Sequence, residues 1–248
     1  MTTLLCYKRT GETTADFSNR IKSQFNWNKV AICGKLDPMA RGLVTVLPND
    51  QTKLMDSYLN TCKEYEFDIV DGISTDSDDI LGFQKVMTNI RHKDLIDDYM
   101  QNLYYKKSQQ FHHFSAKRLN KLGKNKPLWY WFKEGLLDDD EIPSKDVSVF
   151  NVKKLSESTM PIIHYRDLAV SDVKKLNSDK FNKENIIKSW ESIEDYNMKP
   201  VDIYKFKITV TSGFYVRMIA KELNEIGVNC HIHDIHRTHV YSPSEKFI

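Results

Sequence analysis

A lone carboxylate, Asp37, sits in the stretch Gly34-Lys35-Leu36-Asp37-Pro38-Met39-Ala40-Arg41-Gly42, inside a turn stiffened by Pro38 and bracketed by glycines. An apolar run, Leu43 to Leu47, follows at once. Such a turn holds a reactive oxygen at the mouth of a rigid element, where a nucleophile or general base has to be. Asp-Pro is also a common way to start a turn, so taken alone the stretch fits a plain loop better.

The stretch does not stand alone. Lys63-Glu64-Tyr65 leads through Phe67 and Gly72 to Thr75-Asp76-Ser77, Asp79 and Gly82. Ser115-Ala116-x-Arg118 and Gly123 come next, then Tyr130 and Glu134-Gly135. Ser212-Gly213-Phe214-Tyr215-Val216-Arg217 and Arg237-Thr238-x-Val240 complete the series. In type, order and spacing these segments resemble the motifs of the TruB family of RNA pseudouridine synthases, from about Leu4 to Val240. The resemblance implies an isomerase of the tRNA pseudouridine-55 type. It would detach uracil from C1′ of its ribose, turn the base and rejoin it through C5. No electrons or high-energy bonds are exchanged, so no cofactor is expected. An anionic oxygen beside the ribose, a cation to keep it ionised and a dry pocket for an extruded base suffice.

By the same resemblance Asp37 is the catalytic aspartate, acting on the ribose of a flipped-out nucleotide as nucleophile or base. Arg217 is its active-site arginine, a cation that stays charged in a desolvated pocket. Tyr65 is the pocket tyrosine, whose ring can stack on uracil with its hydroxyl near C5. Lys8, Tyr215 and Ile235 fall where the family shapes its pocket, and Lys117 and Arg118 are expected on substrate RNA. Some positions depart from the pattern. Ile32 stands where bacterial members carry a His, which puts grip on the T-loop and substrate identity in question. Tyr7-Lys8-Arg9, His112-His113, Phe214 and His236 replace Asp-Lys-Pro, Pro-Pro, Thr and an Arg. A relative that binds or chaperones structured RNA without isomerising it, or a synthase acting on another RNA, are the alternatives. A nucleotide-binding enzyme is not supported, because Gly34-Lys35 is not followed by Ser or Thr.

The net charge of +2 says little, but its distribution says more. From Tyr99 to Lys133 there is no acidic residue, while Lys106, Lys107, Lys117, Arg118, Lys121, Lys124 and Lys126 alternate with Tyr104, Tyr105, Phe111, His112, His113, Phe114, Trp129 and Tyr130. Cations for phosphates beside rings for stacking are what RNA contact needs. The acidic run Asp138 to Glu141 would repel a phosphate backbone and is expected off that path. Four scattered cysteines without a C-x-x-C pair point to a reducing, intracellular compartment, with cytoplasm, nucleus and mitochondrion unresolved. No apolar stretch approaches a membrane span. Cys230-His231-x-His233-x-x-His236-x-x-His239 has metal-ligand residue types. On a strand, however, His231 and His233 share one face and His236 the other, so no metal is expected.

Elements must bring these groups together. Strands are expected over Thr3 to Tyr7, Val44 to Leu47, Glu64 to Ile69, Val147 to Leu155 with a slip in the alternation, and Tyr204 to Val210. Helices are expected over Thr14 to Phe25, Gln51 to Tyr58, Asp94 to Leu103 and Tyr215 to Ile226. Single helices between strands leave a parallel sheet open. The resemblance instead implies an α+β pseudouridine synthase fold: a mixed, mostly antiparallel sheet flanked by helices, with a central active-site cleft. Residues 1–248 are taken as one catalytic domain. Ser156 to Pro200 is expected as a peripheral insertion, near neutral in charge, helical over Asp179 to Ile193. The chain ends seven residues past Tyr241, so the PUA-type domain of bacterial and archaeal relatives is not expected. The expected partner is therefore the T-arm of tRNA, with no guide RNA, no membrane, and a monomer as the default.

Overall fold

The structure is a computed structural model that describes residues 4–103, 106–178, 181–194 and 199–242. In chain order its first half holds β1 (Leu4–Lys8), α1 (Thr14–Phe25), β2 (Val30–Cys33), β3 (Arg41–Pro48), α2 (Met55–Leu59), β4 (Lys63–Asp71), β5 (Ile73–Thr75), β6 (Gln84–Met87) and α3 (Lys93–Gln101). There follow β7 (Lys106–Gln110), β8 (Arg118–Lys121), β9 (Lys124–Pro127), α4 (Leu128–Lys133), β10 (Ser144–Met160), α5 (Ile162–Lys174), α6 (Lys183–Glu191), β11 (Val201–Val210), α7 (Arg217–Glu225) and β12 (Cys230–Val240).

The period-2 alternation of β4 and β11 builds the frame. Tyr65, Phe67 and Ile69 point to one face and are buried, while Glu64, Glu66 and Asp68 point to the other. Antiparallel pairing sets Phe67 opposite Phe206 and Tyr65 opposite Ile208, so both strands present their apolar sides together. On the polar face Lys207 lies 3.2 Å from Glu64 and 3.1 Å from Glu66. The main sheet has eight strands in the order β1-β3-β12-β4-β11-β10-β7, with β2 also on β3. Among the described strand pairings of this sheet, only β3–β12 is parallel. The fold is the mixed, mostly antiparallel α+β arrangement expected, not a parallel βαβ sheet.

Helices cover the apolar face. Phe17 and Ile21 of α1, Ile96 and Met100 of α3, and Ile219, Ala220 and Leu223 of α7 pack on Phe67, Phe206 and Ile208. Truncating a fully buried ring such as Phe67 to Ala costs about 3–5 kcal/mol. α1 begins where a capping box closes: the Asp16 N–H donates to Thr13 Oγ1 at 3.2 Å and the Thr13 N–H to Asp16 Oδ2 at 2.9 Å. It ends at Asn26 in the left-handed region, φ 52°.

Some boundaries differ from expectation. The helix over Gln51 to Tyr58 is a 3₁₀ turn at Asn49–Leu54 followed by the short α2, because Asn49 has φ 45° and its carbonyl accepts from Thr52 Oγ1 at 2.8 Å. α7 starts at Arg217 rather than Tyr215, since the Tyr215 N–H donates to Gln109 Oε1 at 2.8 Å. The slipped alternation after Val149 is a β-bulge against β11, and the strand runs on to Met160. Thr3, Tyr104, Tyr105, Asp179 and Lys180 lie outside the described residues.

The segment over 156–200 supplies the end of β10 and both α5 and α6. Tyr165, Ala169 and Val173 of α5 and Ile186 and Trp190 of α6 form a second buried cluster with Val70, Ile73, Ile80 and Met39. Met39 belongs to the Asp37 turn, so the helical pair grips that turn directly.

Candidate active site

The turn that carries Asp37 is held from three directions. The Ala40 N–H donates to the Asp37 carbonyl at 3.1 Å, closing the turn on itself, and the Gly11 N–H donates to the Pro38 carbonyl at 2.9 Å. Lys8 is 1% exposed, and its ammonium donates to the carbonyls of Asp37 (3.0 Å), Pro38 (3.0 Å) and Ala40 (2.7 Å). Burial pulls its pKa down to about 8, with Asp37 opposing that shift. Lys8 thus faces the backbone of the turn rather than the cavity beside it. On the far side Arg237 donates to the carbonyls of Leu43 (2.5 Å) and Gly34 (2.9 Å). Gly42 follows with φ 119°, and a Cβ there would stand 2.2 Å from the Arg237 carbonyl oxygen. Glycine at that position lets β12 close against β3.

The carboxylate meets Arg217 across 180 positions of sequence, Nε donating to Asp37 Oδ2 at 2.8 Å. The Arg217 side chain is 5% exposed and that of Asp37 35%, so the pair has a dry end and an open end. Asp79 Oδ2 lies 3.5 Å from the same Nε. Burial works against the guanidinium's charge, but Asp37 and Asp79 outweigh it and raise its pKa. Burial likewise raises the Asp79 pKa against the pull of Arg217. Arg217 is also the first residue of α7, where the helix dipole disfavours a cation, and the two carboxylates offset that. Asp79 is itself set by the Ser77 hydroxyl (2.7 Å) and the Leu81 N–H (2.9 Å). The turn around it needs Gly82, because a Cβ there would lie 2.6 Å from both Asp76 Oδ1 and Ser77 Oγ.

A cavity of about 320 Å³ opens on one side of Asp37, walled by Tyr65, Phe111, Phe214, Tyr215, Ile235 and Arg237. Tyr65 is 8% exposed, with the Arg237 guanidinium carbon 6.0 Å from its ring centre. Burial pushes the Tyr215 hydroxyl up to about 12, helped by Asp37, and the Phe111 ring meets it edge-on at 5.4 Å. Lys117 reaches the rim, 5.0 Å over Phe111. The expected residues Asp37, Tyr65, Tyr215, Ile235 and Lys117 all line this space and Arg217 stands behind Asp37. Arg118 does not; it lies on the exposed β8–β9 hairpin and donates to the Asn125 carbonyl at 3.0 Å. The geometry is that of a slot with aromatic walls, lined also by Lys35, Lys63 and Lys117, with the Asp37 carboxylate as the one acidic group among the described residues that line it.

A second cavity, about 340 Å³, lies on the other side of Asp37. Its walls are charged: Arg41, Asp79, Asp172, Lys175, His233 and Asp234. Arg41 Nε and Nη2 each donate to Asp234 at 2.8 Å, tying the end of the Asp37 turn to β12. Asp172 Oδ2 lies 2.8 Å from His233 Nε2, and His233 Nδ1 lies 3.2 Å from the buried Tyr165 hydroxyl. That hydroxyl donates to His231 Nε2 at 2.6 Å, and His231 Nδ1–H donates to the Ile73 carbonyl at 2.7 Å. Burial takes His231 down to about 3, so it is neutral. These histidines bind β12 to α5. Spacing alone could not reveal that, because the partners come from the segment over 156–200.

His112, expected with the basic and aromatic stretch on RNA, is instead fully buried against Arg217, beside Asp78, which reasoning from residues passed over. Lys126 and Lys133 sit 5.4 and 5.9 Å over the Tyr130 and Trp129 rings, and Trp129 is 41% exposed. Glu141 of the acidic run pairs with Lys121 and so abuts the basic hairpin. Among the described residues no helix is long and apolar enough to cross a membrane.

The fold and the Asp37–Arg217 slot define a class that the comparisons identify. Residues 22–170 match the model of the TruB family pseudouridylate synthase N-terminal domain, and the chain belongs to that family. Similar proteins include the tRNA pseudouridine synthase B of Caldicellulosiruptor saccharolyticus, 30% identical over 154 residues (62% of this chain and 51% of that one). That of Borreliella burgdorferi strain ZS7 is 28% identical over 159 residues (62% and 52%). The chain spans about half the length of these curated relatives. The crystal structure of a Cbf5-Nop10-Gar1 complex holds a chain of the same fold, with TM-score 0.55 and 16% identity over 96% of this chain and 48% of that one.

Proposed function

We propose that this chain is a tRNA pseudouridine synthase that isomerises a T-loop uridine, of the position-55 type, without a cofactor. The observation that carries the reading is the Asp37–Arg217 pair, 2.8 Å apart, with the carboxylate open to a slot walled by Tyr65, Tyr215 and Ile235. A uracil extruded from an RNA loop would enter that slot with its ribose at the mouth. Asp37 Oδ then acts on the ribose as the glycosidic bond breaks. The guanidinium, 2.8 Å away and itself buried, fixes the direction in which the carboxylate points. Tyr65, stacked on the freed base, keeps it in place while it turns, and its hydroxyl is the group for the proton leaving C5. Lys117 at the rim and the basic, aromatic face of α4 and the β8–β9 hairpin supply phosphate and stacking contacts to the RNA.

The test is pseudouridine detection on an unmodified tRNA transcript incubated with the purified protein, with Asp37→Ala alongside. Product confined to the T-loop, lost with Asp37→Ala while RNA affinity stays within about threefold, supports reaction, substrate and residue together. Salt-sensitive RNA binding with no product on the transcript or on total cellular RNA would point to the non-catalytic relative. Product only on other RNA would move the substrate and leave the chemistry intact.

A further inference from the structure

Arg217 has a rear partner that the mechanism above does not use. His112 is fully buried, and its Nδ1 lies 3.3 Å from Arg217 Nη1. The Phe114 N–H donates to the same nitrogen at 3.1 Å. With two donors aimed at Nδ1, the ring proton belongs on Nε2, which donates to Asp78 Oδ2 at 3.0 Å. Asp78 is anchored in turn. Its other oxygen accepts from Asn224 Nδ2 of α7 at 3.0 Å, and its carbonyl accepts from the Ile232 N–H of β12 at 2.9 Å. Its backbone sits at φ 57°, a strained conformation that these contacts hold in place.

We propose that His112 is a positioning residue for the isomerisation, offering an uncharged acceptor that fixes the plane of the Arg217 guanidinium against Asp37. The inference rests on the synthase reading. Its physical basis is a competition. Asp37 and Asp79 already contend for Arg217 Nε at 2.8 and 3.5 Å. A carboxylate at Nη1 would pull the guanidinium back from the slot, and an apolar group would leave a buried N–H with fewer acceptors. The Ser77 carbonyl takes one Nη1 hydrogen at 3.3 Å, and a neutral imidazole takes the other without competing for the charge. Burial, reinforced by Arg217 itself, holds the ring far below its ordinary pKa and so in that neutral form. Asp78 then selects the tautomer by accepting the Nε2 proton.

Two amide variants separate positioning from bulk structure. His112→Asn keeps an acceptor oxygen where Nδ1 lies, whereas His112→Gln places its amide where Nε2 lies and keeps only the Asp78 side. The readouts are the single-turnover rate on a tRNA transcript, the RNA dissociation constant, and the Arg217 Nε–Hε resonance of the free, 15N-arginine-labelled protein. The expected result is His112→Asn within about threefold of wild type, and His112→Gln slower by about 10- to 100-fold, with RNA affinity within about threefold in both. The Arg217 resonance stays sharp and exchange-protected in His112→Asn and broadens in His112→Gln. Equal behaviour of the two variants in rate and resonance would overturn the proposal. If either fails to fold, Asp78→Ala, which removes the acceptor for Nε2–H, reads the same resonance, and an unchanged Arg217 signal overturns the proposal. A wild-type protein that makes no pseudouridine defeats the synthase reading, while the resonance still decides the role of His112.

Discussion

Asp37 stands between two cavities of nearly equal size, about 320 and 340 Å³, one with aromatic and cationic walls and the other rich in carboxylates. The first carries the rings of Tyr65, Phe111, Phe214 and Tyr215 beside Lys35, Lys63, Lys117 and Arg237; the second carries Asp79, Asp172 and Asp234 beside Arg41, Lys175 and His233. An uncharged base gains from leaving water for the first and has little to gain in the second, where the charges already pair with one another. The difference assigns them different work. On the proposed function the aromatic side is the one that receives substrate, while the charged side locks the Asp37 turn, β12 and α5 into one unit.

That division can be broken from either side. Arg217→Met leaves Asp79 buried without its cation. The expected loss is at least about 10²-fold in single-turnover rate and about 3–5 kcal/mol of stability, read from urea unfolding. A variant with wild-type stability would mean the pair is not a buried one. On the aromatic side Tyr65→Phe keeps the ring and removes the hydroxyl. The rate should fall by about 10²-fold at unchanged RNA affinity if that hydroxyl handles the C5 proton. Full activity would reduce Tyr65 to a stacking surface.

A pH series sharpens the role of the lysine clasp. Lys8 and Lys63 are each lowered from 10.5 to about 8, by burial above all. The unfolded chain holds those protons up to about 10.5, so between about 8 and 10.5 the unfolded state binds more protons and this contribution to stability grows with pH. Activity runs the other way, because a neutral Lys8 amine has two N–H donors for the three carbonyls of the turn. The rate is expected to drop about 10-fold from pH 7 to pH 9.5 without a parallel fall in the urea midpoint. Rate and stability falling together would remove Lys8 as the cause. Smallest of all, Lys175→Ala on the charged side should change the rate by less than about threefold. A larger loss at unchanged stability would mean that substrate reaches that cavity too.

Much of the fold was legible because its signals are local. The Thr13–Asp16 box, the alternation in β4 and β11, and the slip after Val149 each report geometry within a few residues. The candidate site was legible in part for the same reason: Asp37, Tyr65 and Arg217 lie in recognisable short motifs. Lys8 was placed near the site, yet its orientation was not legible, because its acceptors are backbone carbonyls about 30 positions away. Residues 156–200 are read from sequence as a peripheral insertion because the stretch is rich in Ser, Asn and Lys and matches nothing in the compact core of the resembled family. The structure sets Tyr165 and Trp190 in a buried cluster with Met39 of the turn. Polar, charged surfaces on α5 and α6 had masked one apolar stripe.

By itself the sequence determined which groups are candidates for the chemistry and the local turns and helices that present them, since those depend on neighbouring φ/ψ choices and side-chain type. Tertiary structure alone decided their juxtaposition. β12, the last strand, inserts between β3 and β4, and that closure brings Arg237 onto the Asp37 turn and, through α7, Arg217 to within 2.8 Å of the carboxylate. It also set His112 behind Arg217 and the Asp172–His233–Tyr165 chain beneath β12. Contacts across 100 or more positions of sequence follow from strand order and the packing of two cores, and no local periodicity encodes them.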